Sequence, residues 1–509
     1  MVLRFAPSPT GPLHIGGVRT ALYNYLFAQQ NHARFILRIE DTDQTRYVEG
    51  AEAYIIEAFK WLGIEFTEGA GIGGDHGPYR QSERAKSGLY KTHADLLLER
   101  GYAYIAFDTP EELDAMRERL IEAGQKSPQY NYATRRMMKN SLTLPKEEVD
   151  KRIAAGESYV IRMKMPRKEE IRFKDVVRNW VVIHSSQLDD KILLKSDGLP
   201  TYHLANVVDD RLMGVTHVIR GEEWLPSTPL HVMLYRGFGW EDEMPTFVHL
   251  PLILNPNGVG KMSKRQGDKL GFSVFPIQWQ DPKTGSISGG YREKGYLPEA
   301  LVNFLSLLGW NPGHDEELMD KARLVEAFSL DKLGNSAAKF DIDKLNWFNE
   351  TYLRAMAAQN ILPMLKNELK KVALPIPPDD FLIRVIDLMR ERVSFVHDFV
   401  SKGRYFFETP QSYDEKMRRK RWTNESKAYL AELSQRFETL QDWQAHKLQD
   451  LFKSLVAEKK IGNGKVLAPL RLALTGVSFG PGAFDIAEVI GKKESLKRIE
   501  KAIGELVVG

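Results

Sequence analysis

The sequence predicts an α/β protein in two parts: a Rossmann-type, doubly wound parallel sheet, followed by an all-helical region. A short apolar strand at residues 2–6 leads through a Pro/Gly-rich loop, residues 7–17, into an amphipathic helix. A second apolar run, residues 35–39, precedes another amphipathic helix, and this β-α-β-α order is typical of parallel sheets covered by helices. From about residue 340 onward, only helical patterns remain.

Composition indicates the class of protein. A chain of 509 residues with 43% hydrophobic and 27% charged residues has room for three or four domains. A net charge of +3 means that any surface for nucleic acid must be a local basic patch. With no cysteine, the chain has no disulfide, no thiol catalysis and no Cys-ligated zinc. No signal peptide or membrane-spanning run is evident, so we expect a cytoplasmic protein.

The loop at residues 7–17 suits a nucleotide. Its spacing fits neither the dinucleotide fingerprint nor the P-loop. His14 can donate to a phosphate oxygen, while Gly16 and Gly17 let a base or ribose lie against the backbone. The following helix is expected to offer free N–H groups and a partial positive charge. The alternative is an ordinary strand–turn–helix with a capping histidine.

A second loop, residues 261–265, contains three cations and a hydroxyl in the order Lys-Met-Ser-Lys-Arg. Such a loop suits a polyphosphate whose charge grows as pyrophosphate leaves. A solvated basic loop is the alternative for an isolated run of charges.

The two loops resemble the signature sequences of class I aminoacyl-tRNA synthetases. Residues 4–11, Arg-Phe-Ala-Pro-Ser-Pro-Thr-Gly, and 38–43, Arg-Ile-Glu-Asp-Thr-Asp, are similar to those of the glutamyl-tRNA synthetase branch. The resemblance extends over nearly the whole chain. It implies activation of L-glutamate with ATP and Mg²⁺, transfer of the glutamyl group to the 3′-terminal ribose of tRNA(Glu), and a monomer.

The resemblance also implies roles for individual residues. The catalytic residues would be His14, Lys261 and Lys264. The ATP-binding residues would be Thr10, His14, Gly16, Gly17, Lys261, Ser263, Lys264 and Arg265. The glutamate-binding residues would be Arg4, Ser8, Glu40, Tyr202, Asn206, Arg220 and Trp224. The anticodon-binding residues would be Arg390, Arg392 and Arg471. Many class I members have a second histidine where this chain has Gly17.

The same resemblance implies five domains. They are a Rossmann-type catalytic domain (1–100 and 197–254), an inserted tRNA acceptor-end domain (101–196), a stem-contact domain with the lysine loop (255–337), and two helical anticodon-binding domains (338–408 and 409–509). Some relatives begin a structural zinc site with Cys-x-Cys where this chain has Ala106, Phe107 and Asp108. Without thiolates, we expect no zinc.

Two further segments are interpreted from their residues. Residues 202–212 form a helix with apolar side chains on one side (Leu204, Val207, Val208 and Leu212) and polar ones on the other (Tyr202, Asn206 and Asp209). Residues 272–292 are longer than the family usually has here, and their Gly/Ser/Pro content predicts a surface excursion of unassigned function.

Three alternatives remain at this point. Small nucleotidyltransferases share the histidine motif but need neither the lysine loop nor a long helical half. Glutaminyl-tRNA synthetase typically has Glu-Pro-Asn where this chain has Ser8, Pro9 and Thr10, and ends in β-barrels. A non-catalytic RNA-binding relative should have lost His14 or Lys264, and both are present.

Overall fold

The computed structural model describes residues 1–508, and of Asp268 and Leu270 it describes only the backbone. The chain forms two compact units. The first contains residues 1–294 and 298–342, and the second contains residues 295–297 and the chain from 343 onward. Among the described residues, no helix is both long enough and apolar enough to cross a membrane.

The strands, in chain order, are β1 (Val2–Phe5), β2 (Arg34–Leu37), β3 (Glu68–Gly69), β4 (Ala103–Ala106), β5 (Val160–Met163), β6 (Glu170–Asp175), β7 (Asn179–His184), β8 (Ile192–Leu194), β9 (His217–Gly221), β10 (Thr246–Leu250), β11 (Ile253–Leu254), β12 (Trp279–Gln280), β13 (Ile287–Ser288) and β14 (Ala338–Lys339). The helices of the first unit are α1 (Ile15–Gln30), α2 (Ala51–Leu62), α3 (Gln81–Ala85), α4 (Leu89–Glu99), α5 (Pro110–Glu122), α6 (Lys146–Ala154), α7 (Tyr202–Leu212), α8 (Thr228–Phe238), α9 (Lys264–Leu270), α10 (Pro298–Ser306) and α11 (Lys321–Ala327). They are followed by α12 (Ile342–Ala355), α13 (Ala358–Lys371), α14 (Asp379–Met389), α15 (Asp398–Ser401), α16 (Glu415–Arg421), α17 (Asn424–Thr439), α18 (Ala445–Lys459), α19 (Gly464–Thr475), α20 (Ala483–Ile490) and α21 (Lys492–Glu505).

A seven-stranded sheet in the order β3-β2-β1-β9-β10-β6-β7 forms the core of the first unit. All neighbours are parallel except β6 and β7. The four residues of β1 are buried, as expected for a central strand covered on both faces. This sheet confirms the predicted fold class.

The strand order changes direction between β1 and β9. From β1 the chain adds β2 and β3 on one side, and from β9 it adds β10 on the other. Open α/β sheets bind ligands at the carboxyl ends of strands next to such a switch point. The topology therefore places a ligand site beyond Phe5 and Gly221.

The segment at residues 101–196 contributes to two sheets. β4, β5 and β8 form a separate three-stranded antiparallel sheet with its own small core around Tyr104, Met116 and Tyr130. In contrast, β6 and β7 join the edge of the seven-stranded sheet beside β10. Part of this segment therefore supplies residues to the main sheet, among them Asp175 at the end of β6.

The second unit is helical, as predicted. Between residues 343 and 508 the structure contains α-helices and short 3₁₀-helices and no strand. The helices after α16 enclose a core in which Trp422, Leu433 and Leu470 are fully buried.

Candidate active site

A cleft of about 660 Å³ opens at the switch point between β1 and β9. The predicted site residues that line it are Arg4, Ser8, Thr10, His14, Gly16, Gly17, Glu40, Tyr202, Asn206, Arg220, Trp224 and Lys264. Lys261 lines a smaller pocket beside it, together with His14 and Gly16. Ser263 and Arg265 are outside the lining of both pockets in the described part of the chain. The two loops and the pocket residues thus meet at one place.

His14 has two different contacts through its two ring nitrogens. Nδ1 accepts the backbone N–H of Gly16 at 3.0 Å, which makes His14 the N-cap of α1. A neutral imidazole that accepts at Nδ1 carries its proton on Nε2. Nε2 is buried and has no partner among the described residues. Burial, with a smaller contribution from the Lys261 charge, lowers the pKa of His14 to about 4. The ring is therefore a neutral donor at physiological pH.

The expected free N–H groups at the start of α1 are absent in the described structure, so that prediction is wrong. The N–H of Ile15 donates to the carbonyl of Val274 at 2.8 Å, and that of Gly16 donates to His14. The N–H groups of Gly17 and Val18 donate to the carbonyl of His14. The start of α1 is already satisfied by the protein, so Nε2–H of His14, and not the first N–H groups of the helix, is available to a ligand here.

The lysine loop is held by a buried amide. Nδ2 of Asn255 donates to the carbonyls of Val259, Gly260 and Lys261, at 2.9 to 3.3 Å. The half-exposed Lys261 ammonium lies 3.1 Å from a carboxylate oxygen of Glu223. Further along, Lys264 begins α9 and is exposed at the cleft. The loop therefore presents two cations on a fixed backbone.

The segment at residues 272–292 is not the surface excursion that its composition predicts. Most of its apolar side chains are buried, among them Phe272, Val274, Phe275, Ile277, Trp279 and Tyr291. Tyr54 of α2 donates its hydroxyl proton to the carbonyl of Ile277 at 2.6 Å. Phe275, Trp279 and Asp281 line the cleft, and Nζ of Lys264 lies 6.0 Å from the centre of the Phe275 ring. The segment is therefore a wall of the cleft, while Gln278, Gln280 and residues 282–287 are exposed.

A buried ionic cluster lies at the base of the cleft. Arg4 and Arg38 both donate to Oδ1 of Asp210, at 3.1 and 2.7 Å. Arg38 also donates to Oε1 of Glu40 at 3.0 Å, and Asn206 donates to the same oxygen at 3.2 Å. Burial raises the pKa of Glu40, with Arg38 and Arg4 opposing the shift. A buried carboxylate in this state is stabilised by an additional cation from a ligand.

Helix α7 supplies part of this cluster through its polar side. Asn206 and Asp209 are buried, whereas Leu212, placed on the buried side by its pattern, is 42% exposed. The carboxylate of Asp209 accepts hydrogen bonds from Arg84 at 2.7 Å and from Tyr90 at 2.8 Å. The polar side of α7 is therefore turned inward because buried donors satisfy it.

Arg220 is held by four neighbours. Its Nη1 donates to the Tyr202 hydroxyl at 2.7 Å, and its Nη2 donates to the Thr228 hydroxyl at 2.8 Å and to the carbonyl of Trp224 at 3.5 Å. Its Nε donates to Nε2 of His249 at 3.0 Å. The Tyr202 ring packs 4.5 Å from the ring of Trp224. This arrangement leaves one N–H of Nη1 without a partner among the described residues.

Sequence reasoning missed five residues of this site: Arg38, Asp175, Asp210, Thr228 and His249. Two of them carry a signal in the sequence. Arg38 lies two positions before Glu40 on the same strand face, and Asp210 follows Asn206 at helical spacing.

The three predicted anticodon residues lie in the second unit. Arg392 is exposed, and its Nη1 donates to the carbonyl of Leu388 at 3.2 Å. Arg390 is ion-paired with Asp387. Arg471 donates to backbone carbonyls of the following loop. Burial and the nearby charge of Arg392 lower the pKa of Arg471, although Tyr405 opposes the shift. Arg392 and Arg471 therefore form one positively charged region.

The parallel sheet, with its histidine and lysine loops meeting at a switch point, defines a class I aminoacyl-tRNA synthetase. A family model described as "tRNA synthetases class I (E and Q), catalytic domain" matches residues 1–347, and one described as "Anticodon binding domain" matches residues 354–503. The chain therefore belongs to the class I tRNA synthetase family for glutamate and glutamine (E and Q).

Individual relatives match over nearly their full length. The chain is 54% identical over 505 residues to a glutamate–tRNA ligase of Amoebophilus asiaticus, covering 99% of this chain and 98% of that protein. It is 53% identical over 502 residues to one from Phocaeicola vulgatus, covering 98% of each. A crystal structure of a glutamate tRNA ligase from Elizabethkingia meningosepticum, in complex with its amino acid, has a TM-score of 0.96 and 47% identity, and the match covers 100% of both chains.

Proposed function

We propose that this chain is a glutamate–tRNA ligase that activates L-glutamate with ATP and esterifies the glutamyl group to the 3′-terminal ribose of tRNA(Glu). The observation that carries this proposal is the charge arrangement in the cleft. Two buried arginines, Arg4 and Arg220, line the same cleft as one buried carboxylate, Glu40. Glutamate has the complementary set of two carboxylates and one ammonium.

The amino acid is assigned to the base of the cleft. Glu40 receives the α-ammonium, because its carboxylate is buried and its pKa is raised by that burial. Arg4 and Arg220 receive the carboxylates, with Arg220 contributing its unused N–H. Ser8 and Asn206 complete the polar lining, and Tyr202 and Trp224 provide its aromatic side.

ATP is assigned to the two loops. His14 donates its Nε2–H to a phosphate oxygen, since this buried nitrogen has no other partner among the described residues. Lys261 and Lys264 stabilise the negative charge of the leaving pyrophosphate. Thr10, Gly16 and Gly17 line the remaining surface. The roles given to Ser263 and Arg265 remain predictions from the family resemblance, because these residues are outside the cleft lining.

Mg²⁺ is proposed to enter with ATP. Among the described residues, there is no group of three acidic, His or Cys side chains that could hold a metal. Mg²⁺ commonly binds through substrate phosphates and one or two carboxylates, keeping several waters. Two carboxylates of the cleft lining, Glu223 and Asp281, are the candidates to contact this Mg²⁺. Glu223 pairs with Lys261, and Asp281 lines the cleft together with Lys264.

The chemistry has two steps. In the first, an oxygen of the glutamate α-carboxylate attacks the α-phosphorus of ATP, and the bond to the leaving pyrophosphate breaks. In the second, a ribose hydroxyl of the tRNA attacks the carbonyl carbon of glutamyl-adenylate and loses its proton to solvent, and AMP leaves with the shared oxygen. Neither step needs a protein nucleophile. Catalysis consists of positioning and stabilisation of charge.

The proposal extends to the tRNA-binding regions and the organisation of the chain. We assign the anticodon to the region around Arg390, Arg392 and Arg471, and the tRNA acceptor end to the segment at residues 101–196. We retain the five-domain division, a monomeric state and a cytoplasmic location. The match of the anticodon-binding family model to residues 354–503 supports the anticodon assignment.

The alternative within this family is a glutamine ligase, and isotope exchange between pyrophosphate and ATP distinguishes the two. The purified chain is incubated with ATP and glutamate or glutamine, each with and without tRNA(Glu). We expect exchange with glutamate and little with glutamine, and the paired reactions show whether tRNA is required. Exchange that depends on glutamine instead would overturn the proposal.

A further inference from the structure

Three side chains on neighbouring strands form a hydrogen-bonded chain behind the proposed glutamate pocket. Nε of Arg220 donates to Nε2 of His249 at 3.0 Å. Nδ1 of His249 lies 2.7 Å from Oδ2 of Asp175, and both side chains are completely buried. β9, β10 and β6 are adjacent, and His249 is the register partner of Arg220. The sheet itself therefore fixes this chain of contacts.

The chemistry of the three groups determines where the histidine proton lies. The guanidinium of Arg220 has only N–H donors, so Nε2 of His249 must accept. The proton of the neutral ring is then on Nδ1 and is donated to Asp175. Oδ1 of Asp175 accepts the backbone N–H groups of Val177 and Arg178, at 2.9 and 2.8 Å, and Oδ2, which faces the ring, also accepts the backbone N–H of His249 at 3.1 Å. Burial lowers the pKa of His249, although Asp175 opposes the shift.

We propose that Asp175 and His249 are positioning residues that orient the Arg220 guanidinium toward a carboxylate of glutamate. This inference rests on the proposed function, in which Arg220 binds the substrate. Asp175 selects the Nδ1–H form of His249, and that form is the one whose Nε2 can accept from Arg220. Because the guanidinium is planar, fixing Nε together with the contacts of Nη1 and Nη2 fixes the orientation of the whole group. The direction of its unused N–H is then fixed as well.

A nearly isosteric change tests this hydrogen-bonded chain from Asp175 through His249 to Arg220, called the relay below. In Asp175→Asn, an amide nitrogen replaces one of two carboxylate oxygens that each accept two N–H groups: those of Val177 and Arg178 at Oδ1, and the backbone and Nδ1 N–H groups of His249 at Oδ2. At the Oδ2 position, the amide nitrogen faces Nδ1–H of His249 as a second donor. The ring escapes this clash by moving its proton to Nε2, where it opposes the N–H of Arg220. We expect the KM for glutamate to rise about tenfold or more, because a hydrogen bond to a charged group is lost. The KM for ATP should stay within about twofold of wild type.

Two substitutions at position 249 provide an independent arm. His249→Leu removes the acceptor and should raise the KM for glutamate as Asp175→Asn does. His249→Gln can place an amide oxygen near the former Nε2 and should restore part of the affinity. The matched control is Asp190→Asn, at another fully buried aspartate, which accepts from Tyr104 at 2.7 Å and Arg135 at 2.9 Å in the separate three-stranded sheet region. It should lower the melting temperature without changing the ratio of the two KM values.

The outcomes separate the relay from the proposed function. A selective rise in the glutamate KM in Asp175→Asn and His249→Leu, with partial rescue in His249→Gln, supports the relay. Unchanged glutamate KM values, or equal rises for glutamate and ATP, overturn it. Should Asp175→Asn fail to fold, the two variants at position 249 decide. Arg220→Lys is measured in parallel. An unchanged glutamate KM in Arg220→Lys contradicts the proposed role of Arg220 itself. A raised glutamate KM in Arg220→Lys, with no effect of the substitutions at positions 175 and 249, contradicts only the relay.

Discussion

The Nδ1 atom of His14 accepts the backbone N–H of Gly16 at 3.0 Å, and this contact divides the imidazole into a structural side and a ligand side. Nδ1 caps helix α1, while the opposite nitrogen is a buried donor without a partner among the described residues. One side chain therefore combines a helix cap with the proposed phosphate contact, and the two functions can be separated by mutation.

His14→Asn should keep the cap and remove the phosphate contact. Asparagine is among the best N-cap residues, since its short amide oxygen reaches the same backbone N–H groups. Its side chain does not extend to the position of Nε2. We expect the free energy of unfolding to change by less than about 1 kcal/mol, and glutamate-dependent pyrophosphate exchange to fall by about a hundredfold. Urea unfolding and the exchange assay measure the two effects. Normal exchange in a folded His14→Asn protein would remove His14 from the ATP site.

Lys264→Ala should reduce adenylate formation by orders of magnitude, because a cation that meets developing charge contributes several kcal/mol to the transition state. The KM for glutamate should change little, since the glutamate pocket is formed by other residues of the cleft. Lys269→Ala is the control, because this lysine is exposed on the same helix and is outside the cleft lining. A single-turnover measurement of adenylate formation compares them. Equal rates in wild type and Lys264→Ala would show that the lysine loop has been assigned wrongly.

Stability should depend on pH through the buried histidines. Burial lowers the pKa of His203, as it does that of His14, from 6.5 to about 4. The unfolded chain then binds these protons first, so the stabilisation is complete above pH 6.5 and is lost as the pH falls toward 4. Each histidine contributes a slope of up to about 1.4 kcal/mol per pH unit in this interval.

The difference between wild type and His203→Gln isolates one of these contributions. Urea midpoints at several pH values between 7.5 and 4.5 should converge as the pH falls, because the variant has one buried histidine fewer to protonate. Curves that remain parallel over the whole range would mean that His203 titrates normally in the folded protein.

Arg392 is predicted to select the tRNA. The third anticodon nucleotide is C in tRNA(Glu) and G in tRNA(Gln), and an arginine can donate to the exposed edge of cytosine but meets donors on guanine. In the structure Arg392 is exposed and, among the described residues, has no carboxylate within 4 Å. Arg392→Gln should lose about 1–3 kcal/mol of the preference for tRNA(Glu). Charging of both purified tRNAs measures the preference, and an undiminished preference in the variant would exclude this role.

The residues of the cleft could be predicted because the order of strands and helices along the chain determines where the strand ends lie. The loop after β1, Glu40 beyond β2 and Arg220 near the end of β9 lie at carboxyl ends of parallel strands, and such ends meet at a switch point. Glu40 and Arg220 were found in this way, with the family resemblance assigning their roles.

The rest depended on contacts between distant parts of the chain. The carbonyl of Val274 caps Ile15, and no local pattern indicates that pairing. The frequent Gly, Ser and Pro in residues 272–292 concealed a buried run of aromatic and aliphatic side chains. Likewise, Asp175 contacts His249 behind the pocket only because β6 pairs with β10, and the sequence does not encode that strand pairing locally.

The most direct test of the central claim is the charging of tRNA(Glu) transcripts by the purified chain, with labelled glutamate or glutamine and measurement of AMP release. The account predicts a glutamyl ester on the tRNA that is labile to mild base, with one AMP formed per ester and strong preference for glutamate. Esterification of glutamine at an equal or higher rate, or no ester formation with glutamate by the folded protein, would contradict it.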